Sequence, residues 1–341
     1  MADSDGWFRM WWERLGVLGR TARLFWKFTF DKPQGTRPGG RVPVDAVTRE
    51  GLLAAPDRTL WRLGHSTVLM KLRGGFWLTD PVFAERASPV WFAGPKRFHK
   101  PPISIKELPE IKAVVISHDH YDHLDKKAIR KLAKKTEWFI VPLGVGAMLV
   151  EWGVDRAKVR ELEWWDETQV DGVRLVSTPT QHFSGRSIWH RNETLFCSWV
   201  VIDGDLRVFY GADSGYFEGF KRIGERFGPF DVTLMENGAY NVNWPLIHMQ
   251  PAETVQAHRD VRGEWMVPIH NGTFDLAMHG WTEPMERVQE LAAKHGVRVC
   301  TPRFGEAVRL NDMGAGSCWW RGVGVTSSEL AGMSRHGELA S

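Results

Sequence analysis

At 341 residues, 43% hydrophobic and 25% charged, the chain has the make-up of a folded globular protein, long for one domain yet within reach of a single large α/β unit with extensions. Its 44 basic and 41 acidic side chains leave a net charge of +3, too small for bulk electrostatics to recruit nucleic acid. Cys197, Cys300 and Cys318 are odd in number and far apart, which argues against a disulfide framework or a thiolate zinc knuckle and fits a reducing, cytoplasmic compartment.

In chain order, residues 6–30 read as an amphipathic helix, with Phe8, Trp11, Trp12, Leu15, Leu18, Ala22, Phe25 and Trp26 at three- and four-residue steps and Arg9, Arg20, Arg23 and Lys27 mostly opposite. A basic, Trp-rich helix suits a membrane surface, as a peripheral contact with anionic lipid. The same pattern equally describes a helix packed on its own domain or on the second subunit of a homodimer. Charged residues interrupt it too often for a signal peptide, and no run reaches the roughly 18 to 20 apolar residues of a membrane span.

A Pro/Gly-rich link from Lys32 to Pro43 separates this arm from the body. Strands are expected at Leu60–Leu63, Thr67–Leu72 and Phe76–Thr79, the last ended by Asp80-Pro81 because proline cannot extend a central strand. Ala113–Ser117 is a further strand, and Asp125–Lys135 is helical. Strands at Val173–Thr178, Phe196–Ile202, Leu206–Tyr210, Asp231–Met235, Trp265–Ile269 and Val297–Thr301 then alternate with helices near 216–227, 251–262 and 282–295. Two sheets between helices accommodate this alternation. The expected organisation is an arm (1–31), a linker and lead-in (32–57), a folded unit (58–311) and a Gly/Ser-rich flexible tail (312–341).

The sharpest feature is His118-Asp119-His120-Tyr121-Asp122-His123, an H-x-H-x-D-H run directly after a hydrophobic strand. A strand end fixes the backbone while the loop turns imidazoles and a carboxylate inward, as a metal site requires. One such cluster cannot close two tetrahedral sites, so distant ligands are needed. His182, Asp213 and His270 each stand at an expected strand end. Most of the chain's 13 histidines must nonetheless be ordinary structural or surface residues.

In this order these residues resemble the signature of the metallo-β-lactamase superfamily, with Asp80 in its first motif. The likeness extends to Leu63-Gly64-His65-Ser66-Thr67, Thr79-Asp80-Pro81, Gly94-Pro95-Lys96-Arg97-Phe98, Trp164-Trp165-Asp166-Glu167, the Thr178–His182 segment and Arg226-Phe227-Gly228-Pro229-Phe230-Asp231. Over about residues 58–310 these motifs resemble N-acyl-phosphatidylethanolamine-hydrolysing phospholipase D and its bacterial relatives. The resemblance implies a four-layer αββα sandwich and two zinc ions. His118, His120 and His182 would hold one zinc, Asp122, His123 and His270 the other, with Asp213 bridging and Asp80 orienting ligands from behind. Tyr121 and His248 match residues that line the substrate phosphate, although the Leu246-Ile247 run before His248 is shorter than in the family.

Two zinc ions about 3.5 to 4 Å apart share a hydroxide of lowered pKa, a nucleophile for hydrolysis at neutral pH. The implied reaction cleaves N-acyl-phosphatidylethanolamine into N-acylethanolamine and phosphatidic acid, with Asp122, Asp213 and His248 in the catalytic machinery. The basic face of 125–135 would meet anionic headgroups, though such a run is also an ordinary solvated helix face. The rival readings are a soluble lactonase or phosphoesterase on the same metal frame, and a non-catalytic peripheral membrane protein with a structural metal site. Zinc is preferred over iron or manganese for this mixed imidazole and carboxylate set.

Overall fold

The computed structural model describes residues 32–187 and 191–324. Strands β1 (Thr59–Arg62), β2 (Val68–Leu72), β3 (Gly75–Thr79), β4 (Ile111–Val115), β5 (Thr136–Pro142) and β6 (Val159–Leu162) build one sheet in sequence order. A second sheet contains β7 (Glu167–Val170), β8 (Val173–Thr178), β9 (Ser198–Asp203), β10 (Leu206–Ala212), β11 (Phe230–Glu236), β12 (Gly263–Ile269) and β13 (Arg298–Val299). The chain then returns to the first sheet, where β14 (Ala307–Arg309) pairs antiparallel with β1.

Side chains alternate along each strand, so one strand feeds two cores. In β2, Val68, Met70 and Leu72 point between the sheets, while Leu69 joins the outer cluster. That outer cluster is closed by α1 (Arg49–Ala54), α2 (Lys126–Leu132) and α3 (Val145–Glu151) through Leu52, Ile129 and Leu149. On the far side, α4 (Gly219–Phe227), α5 (Pro251–Asp260) and α6 (Glu283–Lys294) cover the second sheet through Phe220, Val255 and Val288. The result is the expected αββα sandwich. No helix among the described residues is long and apolar enough to cross a membrane.

Each sheet has an antiparallel half and a parallel half: β3, β4, β5 and β6 run parallel, as do β10, β11, β12 and β13. Parallel strands bring their C-terminal ends to one edge, and loops leaving that edge converge. Two side chains of the second sheet cross the sandwich to fix this edge. The Trp199 indole N–H donates to the Ile116 carbonyl at 2.9 Å, and the Tyr210 hydroxyl donates to Asp80.

The structure extends the sequence reading at both ends of the folded unit. The Lys32–Pro43 link is clamped to the body rather than free: Lys32 and Arg37 both pair with buried Asp275, the latter at 2.9 Å, and the amide of Asp45 donates to Phe304 at 2.8 Å. The flexible-tail reading of 312–341 does not hold over 312–324. Trp319 and Trp320 are buried with Val42, Met285 and Phe304, and the Trp320 indole donates to Glu286 at 2.6 Å. Their apolar area outweighs the local Gly/Ser composition. The arm at 6–30 and the remainder of the tail lie outside the described residues.

Candidate metal centre

Asp80 and every metal ligand expected from the sequence lie at the end of a strand or in the loop that leaves it, whereas His248 lies in the loop between β11 and α5. Asp80 follows β3 and the 118–123 loop follows β4; His182 follows β8, Asp213 follows β10 and His270 follows β12. Asp80, Ala212 and His270 adopt positive φ (32°, 49° and 63°), a conformation that non-glycine residues rarely hold and that here turns the chain sharply at the strand ends. Gly238 is required for the same crowding, because a Cβ there would lie 2.3 Å from the carbonyl oxygen of His270.

The loops deliver their donors as two groups. In one, His118, His120, His182 and Asp213 present ligand atoms that all lie within 4.8 Å of one another; in the other, His65, Asp122, His123 and His270 do the same. Asp213 touches both. One of its oxygens, Oδ2, lies 3.8 Å from His118 Nε2, 3.7 Å from His182 Nε2 and 3.1 Å from His270 Nε2, while Oδ1 lies 3.1 Å from His123 Nε2.

The second nitrogen of three of these six rings is held by an acceptor. His123 Nδ1 is 2.6 Å from Asp80 Oδ2, His182 Nδ1 is 3.0 Å from the Ile247 carbonyl, and His118 Nδ1 is 2.9 Å from the Ser117 hydroxyl, which itself donates to Asp80. An imidazole that donates from Nδ1 turns the lone pair of Nε2 toward the cluster, the orientation metal ligation needs. Asp80 is the hub, since it also accepts the Ser117 amide at 2.7 Å and the Tyr210 hydroxyl.

The electrostatics fit cations. His123 Nε2, His270 Nε2 and Asp213 Oδ1 are buried without a hydrogen-bond partner, and divalent metal ions coordinated there would satisfy all three. Burial, then neighbouring histidines, hold His118 and His182 well below the usual imidazole range, hence neutral and able to ligate. For Asp122 and Asp213 burial acts upward, but the adjoining histidines outweigh it and keep both carboxyls well below their usual range. Burial acts downward on His270, yet Asp213 and Asp122 raise it to about 10. Histidine protons and metal ions thus compete for the same carboxylates.

Two residues escaped the sequence reading. His65, in the turn between β1 and β2, is buried with Nε2 3.2 Å from Asp122 Oδ2 and its ring 3.8 Å from that of His270. Glu236, the last residue of β11, is fully buried against His248. The available signal was an acid closing an apolar strand and a histidine in a strand-to-strand turn. Neither has the repeated spacing that marked the 118–123 loop.

His248 stands beside the centre, its ring centroid 5.2 Å from those of His182 and His270. Tyr121 is engaged by Arg186. Its hydroxyl donates to the Arg186 carbonyl at 3.0 Å, and the Arg186 guanidinium lies 3.9 Å above its ring. Tyr121 lines a groove of about 650 Å³ together with Trp91 and the α2 residues Lys127, Arg130 and Lys131. Trp91 and Phe92 are 81% and 64% exposed, and no ion pair engages Lys127, Arg130 or Lys131 among the described residues.

Residues 77–271, which contain every expected ligand, match the family model described as a beta-lactamase superfamily domain. The chain belongs to the metallo-β-lactamase superfamily. Within the superfamily it is 46% identical over 290 residues to an uncharacterized protein of Mycobacterium tuberculosis, covering 84% of this chain and 77% of that one. It is also 34% identical over 264 residues to N-acyl-phosphatidylethanolamine-hydrolyzing phospholipase D 1 of Caenorhabditis elegans, covering 73% and 74% of the two chains. Among solved structures it is similar to an isothiocyanate hydrolase from Delia radicum gut bacteria, with a TM-score of 0.59 at 20% identity over 73% of this chain and 98% of that one. This member of the superfamily is accordingly a hydrolase with candidate metal-binding His/Asp clusters.

Proposed function

We propose that the chain is a dinuclear zinc phosphodiesterase of the phospholipase D type, which cleaves N-acyl-phosphatidylethanolamine to N-acylethanolamine and phosphatidic acid. The observation that carries this reading is Asp213, whose one carboxylate reaches both ligand groups. In the proposal His118, His120 and His182 would hold one zinc and Asp122, His123 and His270 the other, with Asp213 in reach of both ligand groups. When bound, such a pair supplies positive charge for a phosphate and a water of lowered pKa. Five imidazoles and two carboxylates favour zinc over calcium or magnesium, which prefer all-oxygen sites.

The chain's own residues supply substrate selection. Lys127, Arg130 and Lys131 along the groove attract an anionic headgroup, and the exposed rings of Trp91 and Phe92 suit an acyl or interfacial environment. His248, beside both ligand groups, is positioned to hydrogen-bond a non-bridging phosphate oxygen. The nematode relative's name carries the same substrate, which supports the reading.

Product analysis tests it. Vesicles of N-acyl-phosphatidylethanolamine treated with zinc-loaded protein should yield N-acylethanolamine and phosphatidic acid in equal amounts. Release of free fatty acid would replace phosphodiester cleavage with acyl hydrolysis, and no product from folded, metal-loaded protein would favour a soluble lactone or phosphodiester.

A further inference from the structure

A carboxylate is costly to bury unless its oxygens are engaged, and Glu236 is buried completely. Its Oε2 accepts the amide of Ser214, the residue after Asp213, at 2.6 Å, and its Oε1 contacts His248 Nδ1. One acid at the end of β11 therefore joins the bridging-carboxylate loop to the histidine beside it.

Among the described residues, the loop that carries His248 offers that ring no hydrogen bond of its own. It bulges into solvent at Val242 and Leu246, which are exposed, and is held mainly through backbone groups: the Trp244 indole donates to Ala239 at 2.9 Å, and His182 Nδ1 lies 3.0 Å from the Ile247 carbonyl. The Gln250 amide donates to Glu253 at 2.8 Å and starts α5 immediately afterwards. These contacts fix the chain but not the imidazole. Glu236 is the hydrogen-bond partner of the His248 ring among the described residues.

We propose that Glu236 is a positioning residue for His248, fixing its rotamer and keeping Nδ1 engaged so that Nε2 is the nitrogen offered to substrate. The proposal rests on the reading of His248 as a substrate contact. A carboxylate only accepts hydrogen bonds, so Nδ1 carries the hydrogen in this pair whether or not Nε2 is also protonated. Donors of Asp213, His248 and His270 lie within 4.8 Å of one another, so a correctly turned His248 works at the edge of the metal centre.

The test is Glu236→Gln. Glutamine retains an oxygen for the Ser214 amide, but its NH2 then faces His248 and can only donate, which favours the opposite tautomer. In zinc-loaded protein with 15N-labelled histidine, the His248 signals, assigned by their loss in His248→Ala, should report Nδ1–H in the parent and Nε2–H in Glu236→Gln. With two zinc ions retained per chain, kcat should fall about 10- to 100-fold with little change in KM, as for other residues that orient an active-site imidazole. The double variant Glu236→Gln/His248→Ala should be no slower than His248→Ala alone.

An unchanged tautomer, or a double variant slower than His248→Ala by the full Glu236→Gln factor, would overturn the positioning role. Loss of zinc in Glu236→Gln would overturn it too, assigning Glu236 to the Asp213 loop instead. Parental turnover in His248→Ala would defeat the substrate-contact reading itself. If the lipid is not cleaved at all, the substrate reading fails separately, and the NMR result still decides the positioning claim.

Discussion

Nδ1 of His123 lies 2.6 Å from Oδ2 of Asp80, and both residues are completely buried. The pair links two neighbouring parallel strands, since Asp80 follows β3 and His123 belongs to the loop after β4. Asp80→Asn replaces an acceptor-only group by one with a donor and should weaken metal binding at the His123 group by about 10- to 100-fold. Competition with a chromophoric chelator measures this, and parental affinity in the variant would show that Asp80 does not orient the ligand. Asp80→Ala should be harsher, leaving Ser117 and Tyr210 donors unpaired at about 1–3 kcal/mol each.

His65→Ala should preserve the fold and damage the second ligand group. The ring lies against His270, Nε2 lies 3.2 Å from Asp122, and the His65 carbonyl accepts the His270 amide at 2.9 Å. The backbone bond survives the substitution, whereas Asp122 and His270 lose their neighbour. Metal analysis should find fewer than two zinc ions per chain after mild chelation, with the circular-dichroism spectrum unchanged. Full retention of both ions would leave His65 a packing residue.

Acid should destabilise the protein partly through His258, which burial lowers to about 4 from 6.5. The native state binds this proton less readily than the unfolded chain, so the stability present above pH 6.5 is lost as pH falls through about 4. His258 packs α5 on the second sheet, its Nδ1 2.8 Å from the Thr233 hydroxyl, away from the ligand groups. Urea melts of parent and His258→Leu between pH 6.5 and 4 should give a shallower pH dependence for the variant, by up to about 1.4 kcal/mol per pH unit. Parallel curves would refute this.

Trp320→Ala should cost about 3 kcal/mol or more, the usual penalty for emptying a buried aromatic site. Trp320 is 1% exposed, and it and Arg321 both bond Glu286 on α6. Thermal denaturation checks it, and an unchanged midpoint would return the 312–324 segment to the status of a tail.

Much of the centre was legible because its ligands carry their own context. The 118–123 run packs several donors behind a β-branched strand, and Asp80, His182, Asp213 and His270 all follow apolar strands, a pattern that backbone geometry makes necessary. Glu236 was not legible because its meaning depends on His248, twelve residues away across a loop. The motif around His65 gives that ring no role, since its partners follow two distant strands. The strands Thr136–Pro142, Val159–Leu162 and Glu167–Val170 escape a reading by pattern, the last because exposed edge positions such as Glu167 and Gln169 carry no apolar run. The Trp319-Trp320 pair stands in Gly/Ser surroundings that read as a tail, whereas its burial depends on Val42 and Met285 from elsewhere in the chain.

The most direct test of the central claim joins metal count to chemistry at Asp213. Native mass spectrometry and lipid product analysis should be run side by side on the zinc-loaded parent and Asp213→Ala. The account predicts two zinc ions per parental chain with release of N-acylethanolamine and phosphatidic acid from N-acyl-phosphatidylethanolamine vesicles, and fewer ions with no release in the variant. Equal turnover by the two proteins, or a folded parent that holds two zinc ions and leaves the lipid intact, would contradict it.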